Sequence, residues 1–142
     1  MKYVVLISHG DFAPGLESAV KMMVGQREDL VSASLKDGKS VDDFLAELEK
    51  ALAPITQEDE ILMFCDILGG SPLTSSLELL HNRGLLPKTK VLTGMNMPMV
   101  ITAMTMKDNV DLPTLVDMVL MEGKEGISEF ELDTEEADED DI

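Results

Sequence analysis

His9 stands just beyond an apolar run, Tyr3-Val-Val-Leu-Ile7, and Asp66 just beyond another, Glu60-Ile-Leu-Met-Phe-Cys65. A carboxylate that accepts a hydrogen bond from one imidazole nitrogen fixes the tautomer and leaves the lone pair of the other nitrogen free to attack. With Asp66 on Nδ1, the nucleophile would be Nε2 of His9, and the carboxylate would stabilise the cationic ring that forms on substitution. Asp66 leads directly into Ile67-Leu-Gly-Gly-Ser-Pro72. Small residues at a helix start present backbone N–H groups and the positive end of the helix to an anion. Gly70 and Ser71 are therefore the candidate phosphate contacts, Ser71 with its hydroxyl as a further donor. A nucleophilic His beside such a cradle suggests phosphoryl transfer through phosphohistidine, with the wall of the pocket supplying positioning and charge stabilisation. Each group also has a plainer use. His9 can be a structural hydrogen bonder, Asp66 the cap of its own loop, and Gly69-Gly70-Ser71-Pro72 a tight turn.

The elements that must position these residues follow from the alternation of short apolar runs with segments of helical period, which is the pattern of a parallel sheet covered by helices. Tyr3–Ile7 reads as the first strand, uninterrupted as buried parallel strands are. A helix follows Pro14-Gly15, with Leu16, Ala19, Val20 and Met23 on its inner face, and stops at Gly25. Leu30–Leu35 alternates and reads as a second strand nearer an edge. Ser40 opens the next helix with Asp43 at capping-box distance and a buried stripe of Phe44, Leu45, Leu48 and Leu52. After the third strand, Glu60–Cys65, Ser71 is the N-cap candidate and Pro72 the first helical residue. That helix runs to about Arg83, with Gly84 as its stop. Lys90–Thr93 is a short fourth strand, followed by Gly94-Met-Asn-Met-Pro98 and a Met-rich helix. Asp111-Leu-Pro113 starts a final helix with Leu115, Val116, Val119 and Leu120 inward and a connection from about Glu122 to Glu125. Gly126–Leu132 alternates strictly and reads as a strand with one buried face. Ligands of open α/β sheets bind outside the carboxyl ends of the strands. If strands one and three are neighbours, His9 and Asp66 face each other there, with Asn96 after strand four at the same end.

The whole chain is 142 residues and 15.5 kDa, one domain's worth. Apolar residues make up 44% and charged residues 27%, enough for a real core. Eleven cations against 28 carboxylates give a net charge of −17, which argues against binding nucleic acid or an anionic membrane surface. Seven of those carboxylates lie in residues 133–142, an acidic tail expected to be disordered, which leaves −10 on a folded domain of residues 1–132. Cys65 is the only cysteine, so no intramolecular disulfide or cysteine-based zinc site forms, and inside an apolar strand it reads as an inert thiol. His81, late in a helix, reads as structural or exposed. Met95, Met97, Met99, Met104 and Met106 read as packing. No signal-peptide core or membrane span is apparent, so the expected location is cytoplasmic. Nothing calls for a metal or a cofactor.

Other uses of such a sheet fit less well. A response-regulator receiver also has an Asp after its third strand, but it needs an acidic pair after the first, where this chain has Ser8-His9-Gly10-Asp11. A flavodoxin-like carrier needs a hydroxyl-rich loop there and aromatics to sandwich a flavin, and aromatics are only 4% of the chain.

Taken in order, VVLISHGDFAPGL around His9, FCDILGGSPLTSS from Phe64 and GMNMPMV from Gly94 resemble the enzyme IIA component of the mannose family of the bacterial phosphoenolpyruvate-dependent sugar phosphotransferase system (PTS), over about residues 1–132. The resemblance implies that His9 is the phosphorylated histidine, Asp66 its partner and Ser71 the loop serine near the phosphoryl group. It implies a doubly wound sheet of four parallel strands in the order 2-1-3-4. A fifth, antiparallel strand, Ile127–Leu132, would be exchanged between the subunits of a homodimer. It also implies the partners: the phosphocarrier HPr donates, a IIB component accepts, and sugar is phosphorylated as it crosses a membrane complex of IIC and IID. No linker to a IIB domain follows, so IIB is expected on a separate polypeptide. The nearest alternatives are the phosphotransfer subunit of a phosphoenolpyruvate-dependent dihydroxyacetone kinase and a non-catalytic regulatory module of the same fold.

Overall fold

Four apolar runs form one parallel sheet in the computed structural model, which describes residues 1–132. The chain runs β1 (Lys2–His9), α1 (Phe12–Val24), β2 (Leu30–Leu35), α2 (Val41–Leu52), β3 (Glu60–Cys65), α3 (Ser71–Asn82), a 3-10 turn (Leu86–Lys88), β4 (Thr89–Leu92), α4 (Met97–Met106) and α5 (Leu112–Glu125). The strands lie in the expected order β2-β1-β3-β4. The acidic tail inferred for 133–142 falls outside the described residues.

Period two along each strand explains why the central runs are apolar throughout. Val4, Leu6, Leu62 and Phe64 enter one core, with Ala13, Leu16, Val20, Val100, Leu115 and Val119 of α1, α4 and α5. Val5, Ile7, Ile61, Met63 and Cys65 enter the other, with Phe44, Leu48 and Leu80 of α2 and α3. The central strands are buried on both faces, which is the condition under which a parallel strand loses its polar alternation. The methionines do pack as read: Met95, Met99 and Met104 are buried in the first core, with Met97 and Met106 against it.

The capping box of α2 forms in full: Ser40 Oγ accepts from the Asp43 N–H and the Asp43 carboxylate accepts from the Ser40 N–H, both at 3.1 Å. Three local expectations are corrected. α1 begins at Phe12, ahead of Pro14, because a proline in the first turn withdraws no needed N–H. Its inner stripe passes from Val20 to Val24, so Met23 is exposed. α5 continues to Glu125, since Gly123 is buried against Met99 at a point where a Cβ would collide with the thioether. Residues 127–132 join no strand of their own chain and are exposed along their length. Alternation records which face could be buried, but burial requires a sheet edge to pair with, and the segment meets none here.

The sequence reading passed over one ionic anchor. Lys107, after α4, is buried and its Nζ lies 2.7 Å from Asp29 and 3.0 Å from Asp108. Asp29 also receives two hydrogen bonds from Arg27, and its carbonyl accepts from the Val4 N–H at 2.8 Å. The cluster ties the helix layer to the start of β2. Removing one member of a buried pair typically costs about 3–5 kcal/mol, because the other charge is left uncompensated.

Candidate functional site

The register sets the site. β1 and β3 pair Ile7 with Cys65, so the residues that follow emerge side by side at the carboxyl edge of the sheet. His9 and Asp66 meet there as expected: His9 Nδ1 lies 2.8 Å from Asp66 Oδ2, and the same oxygen accepts the His9 backbone N–H at 2.9 Å. The other carboxylate oxygen accepts from the Ile67 N–H at 2.9 Å. Burial pushes the Asp66 carboxyl up, but the hydrogen bonds from the His9 backbone and ring and from Ile67, with the charge of the ring, outweigh it and hold the group below its ordinary value. The carboxylate is therefore ionised near neutrality and only accepts. Nδ1 must carry the proton, and in the neutral ring Nε2 carries the lone pair. The His9 side chain is 45% exposed.

The loop expected to cradle phosphate does something further. Gly70 has φ +87° and ψ 166°, a region essentially confined to glycine, and is the N-cap of α3. A Cβ built there would lie 2.9 Å from His9 Cε1 and 3.1 Å from Nε2. The edge of the ring that bears the free nitrogen thus rests against Gly70, and the glycine is required both by the backbone and by the close approach. Gly70→Ala is expected to lose roughly 1–3 kcal/mol from the backbone alone and to displace the imidazole. A thermal midpoint and ring ¹⁵N shifts identical to wild type would contradict this.

Other candidates take different places. Ser71, expected as the N-cap, is the first helical residue instead, exposed and making no cap, because Gly70 already holds the flanking conformation. Its N–H still belongs to the first turn of α3, where N–H groups have no partner within the helix. Asn96 is absorbed by structure: Oδ1 accepts from Met99 N–H at 3.0 Å and Nδ2 donates to the Gly123 carbonyl at 3.1 Å, clamping α4 to α5. Cys65 is buried, and burial followed by the charge of Asp66 raises its thiol. His81 is exposed on α3.

Ser8 was missed by sequence reasoning. It is buried, and its Oγ accepts from the Ala13 N–H at 2.7 Å, the cap that Asp11 does not provide. The available signal was a hydroxyl between an apolar strand and a histidine. Lys36 and Lys39 were missed as well; they line an open cavity beside His9. No helix among the described residues is long and apolar enough to cross a membrane.

A family model described as PTS system fructose IIA component matches residues 3–120. The fructose-specific EIIA component of Bacillus subtilis is 23% identical over 114 residues, covering 80% of this chain and 76% of that protein. The mannose-specific EIIAB component of Escherichia coli is 24% identical over 125 residues, or 87% of this chain, which spans only 38% of that longer protein. Among solved structures, the phosphotransferase system component EIIA of Streptococcus agalactiae superposes with a TM-score of 0.76 at 29% identity, covering 91% of this chain and 97% of that one.

Proposed function

Because the chain belongs to the PTS family of fructose- and mannose-type IIA components, we propose that it is a phosphocarrier that accepts a phosphoryl group on Nε2 of His9. The observation that carries this is the 2.8 Å contact from Nδ1 to an ionised Asp66 on a half-exposed ring, which leaves Nε2 as the basic atom. In the reaction the Nε2 lone pair forms the bond to phosphorus while the bond to the donor breaks and its electron pair returns to the donor. The ring becomes cationic, and Asp66 compensates that charge through the Nδ1 proton it already holds. The N–H groups at the start of α3, from Gly70 and Ser71, then meet the phosphoryl oxygens, with the positive helix end behind them. Passing the group onward is the same step reversed toward an acceptor.

The donor in this reading is HPr, the acceptor a IIB component, and the end of the route a sugar phosphorylated at a IIC and IID membrane complex, with the carrier itself in the cytoplasm. Incubation with phosphoenolpyruvate, enzyme I and HPr should place an acid-labile label on the peptide containing His9. No label, or a label elsewhere, would reject the assignment.

A homodimer belongs to the same proposal, formed by exchange of 127–132 onto the partner's sheet. Ile127, Phe130 and Leu132 are 77%, 64% and 64% exposed in the single chain, and β4 ends the sheet on an edge to which a strand can add. Truncation after Gly126 is expected to give monomers by sedimentation; a dimer of unchanged strength would remove the exchange.

A further inference from the structure

The β2–α2 turn, Leu35-Lys-Asp-Gly-Lys39, lines an open cavity of about 370 Å³ together with His9 and Gly10. The sheet makes this meeting unavoidable. His9 pairs with Leu35 across β1 and β2, and the Gly10 N–H donates to the Leu35 carbonyl at 2.8 Å. The chain then turns back at once, with the Lys39 N–H donating to the Lys36 carbonyl at 3.0 Å and Gly38 at φ +77°. In the order β2-β1-β3-β4 this turn flanks His9 on one side, and Asp66 with Gly70 flanks it on the other.

The two lysines differ in their surroundings. Lys36 Nζ is 3.1 Å from Ser34 Oγ and 3.2 Å from Glu47, so a carboxylate already matches its charge. Lys39 is exposed and, among the described residues, has no carboxylate within ion-pair distance. Asp37 shares its turn, and Asp43 across the start of α2, held first by its hydrogen bonds with Ser40, also feels the charge of Lys39, though beyond ion-pair distance. On a chain of net charge −17, an ammonium in no ion pair among the described residues belongs to the turn that lines one cavity with His9.

We infer that Lys39 is a rate-determining contact for the phosphoryl group in transfer, meeting its oxygens from the side of His9 opposite Asp66. The inference rests on His9 being the phosphoryl acceptor. Its chemical basis is a conflict within the site. Asp66 suits the cationic ring but repels the anionic group that must approach it, and a cation on the far flank offsets that repulsion where charge develops. Lys39 stays an ammonium throughout. The only bonds that change are the new bond from Nε2 to phosphorus and the donor's bond, whose pair returns to the donor.

Lys39→Gln, Lys39→Glu and Lys39→Arg can be compared with wild type by rapid-quench labelling from phosphoenolpyruvate through enzyme I and HPr. A ³¹P titration of each phosphorylated chain accompanies the kinetics. Lys39→Gln is expected to slow transfer roughly tenfold, Lys39→Glu further, and Lys39→Arg little. The last ionisation of the phosphoryl group should move to higher pH in Lys39→Gln, because its dianion has lost a neighbouring cation. A purely structural lysine would leave that titration unmoved. Lys39→Glu labelled at His9 at the wild-type rate with a wild-type titration overturns the inference while leaving the phosphocarrier reading intact. Wild type that takes no label on His9 overturns both.

Discussion

His9→Ala is expected to fold as wild type and to take no acid-labile phosphate at all. The side chain is nearly half exposed, and one of its two ties to Asp66 is the backbone N–H, which alanine keeps. Little stability is therefore at stake. What disappears is, among the described residues, the one imidazole at this sheet edge, and its neighbours are poor substitutes: Cys65 is buried with its thiol raised, and Ser8 Oγ is buried under the Ala13 N–H. His81→Gln is the internal control. That imidazole lies on the exposed surface of α3, so its loss should leave labelling unchanged. Acid-labile label retained by His9→Ala would remove the phosphoryl site from His9 outright.

Asp66→Asn should retain the fold yet reduce transfer by roughly 10²–10³-fold, the scale on which a single preorganised electrostatic contact acts. An amide can orient the ring but cannot compensate the charge that arises when Nε2 takes phosphorus. It also offers one acceptor oxygen where the carboxylate has two, both engaged. Either rotamer therefore turns an NH₂ toward a backbone N–H, at a cost of about 1 kcal/mol. The pH dependence has a definite sign. Asp66 is held below its ordinary 3.8 in the fold, so its stabilisation is fully present above that value and is lost as pH falls through the lowered one. The gap in thermal midpoint between wild type and Asp66→Asn should hold from pH 7 to about 5 and close in stronger acid. Equal transfer rates for the two proteins would take Asp66 out of the mechanism.

The pairing of His9 with Asp66 was legible because it depends only on strand order. Residues that follow adjacent parallel strands emerge at one edge however far apart they lie in the chain, and the order that makes β1 and β3 neighbours was implied by the family resemblance. The capping box at Ser40 was legible because its partners are three residues apart. Interactions with no local signature escaped. Nothing in the spacing of Asp29 and Lys107 distinguishes a buried pair from two surface charges. Lys39 is an ordinary turn lysine until the register brings β2 beside His9. Ser71 was misplaced for a different reason. It is a good helix-capping type beside a proline, and only the backbone angles decide that Gly70 caps α3 in its place.

The hydrogen bond between Asp66 and the imidazole bears on the chemical identity of the product. With Asp66 holding Nδ1 at 2.8 Å, a half-turn of the heterocycle about its bond to Cβ would set a carbon against the carboxylate and forfeit that contact. An adduct on the ring so held is expected as a single regioisomer, the tele form, because the pros nitrogen is the one already committed to the carboxylate.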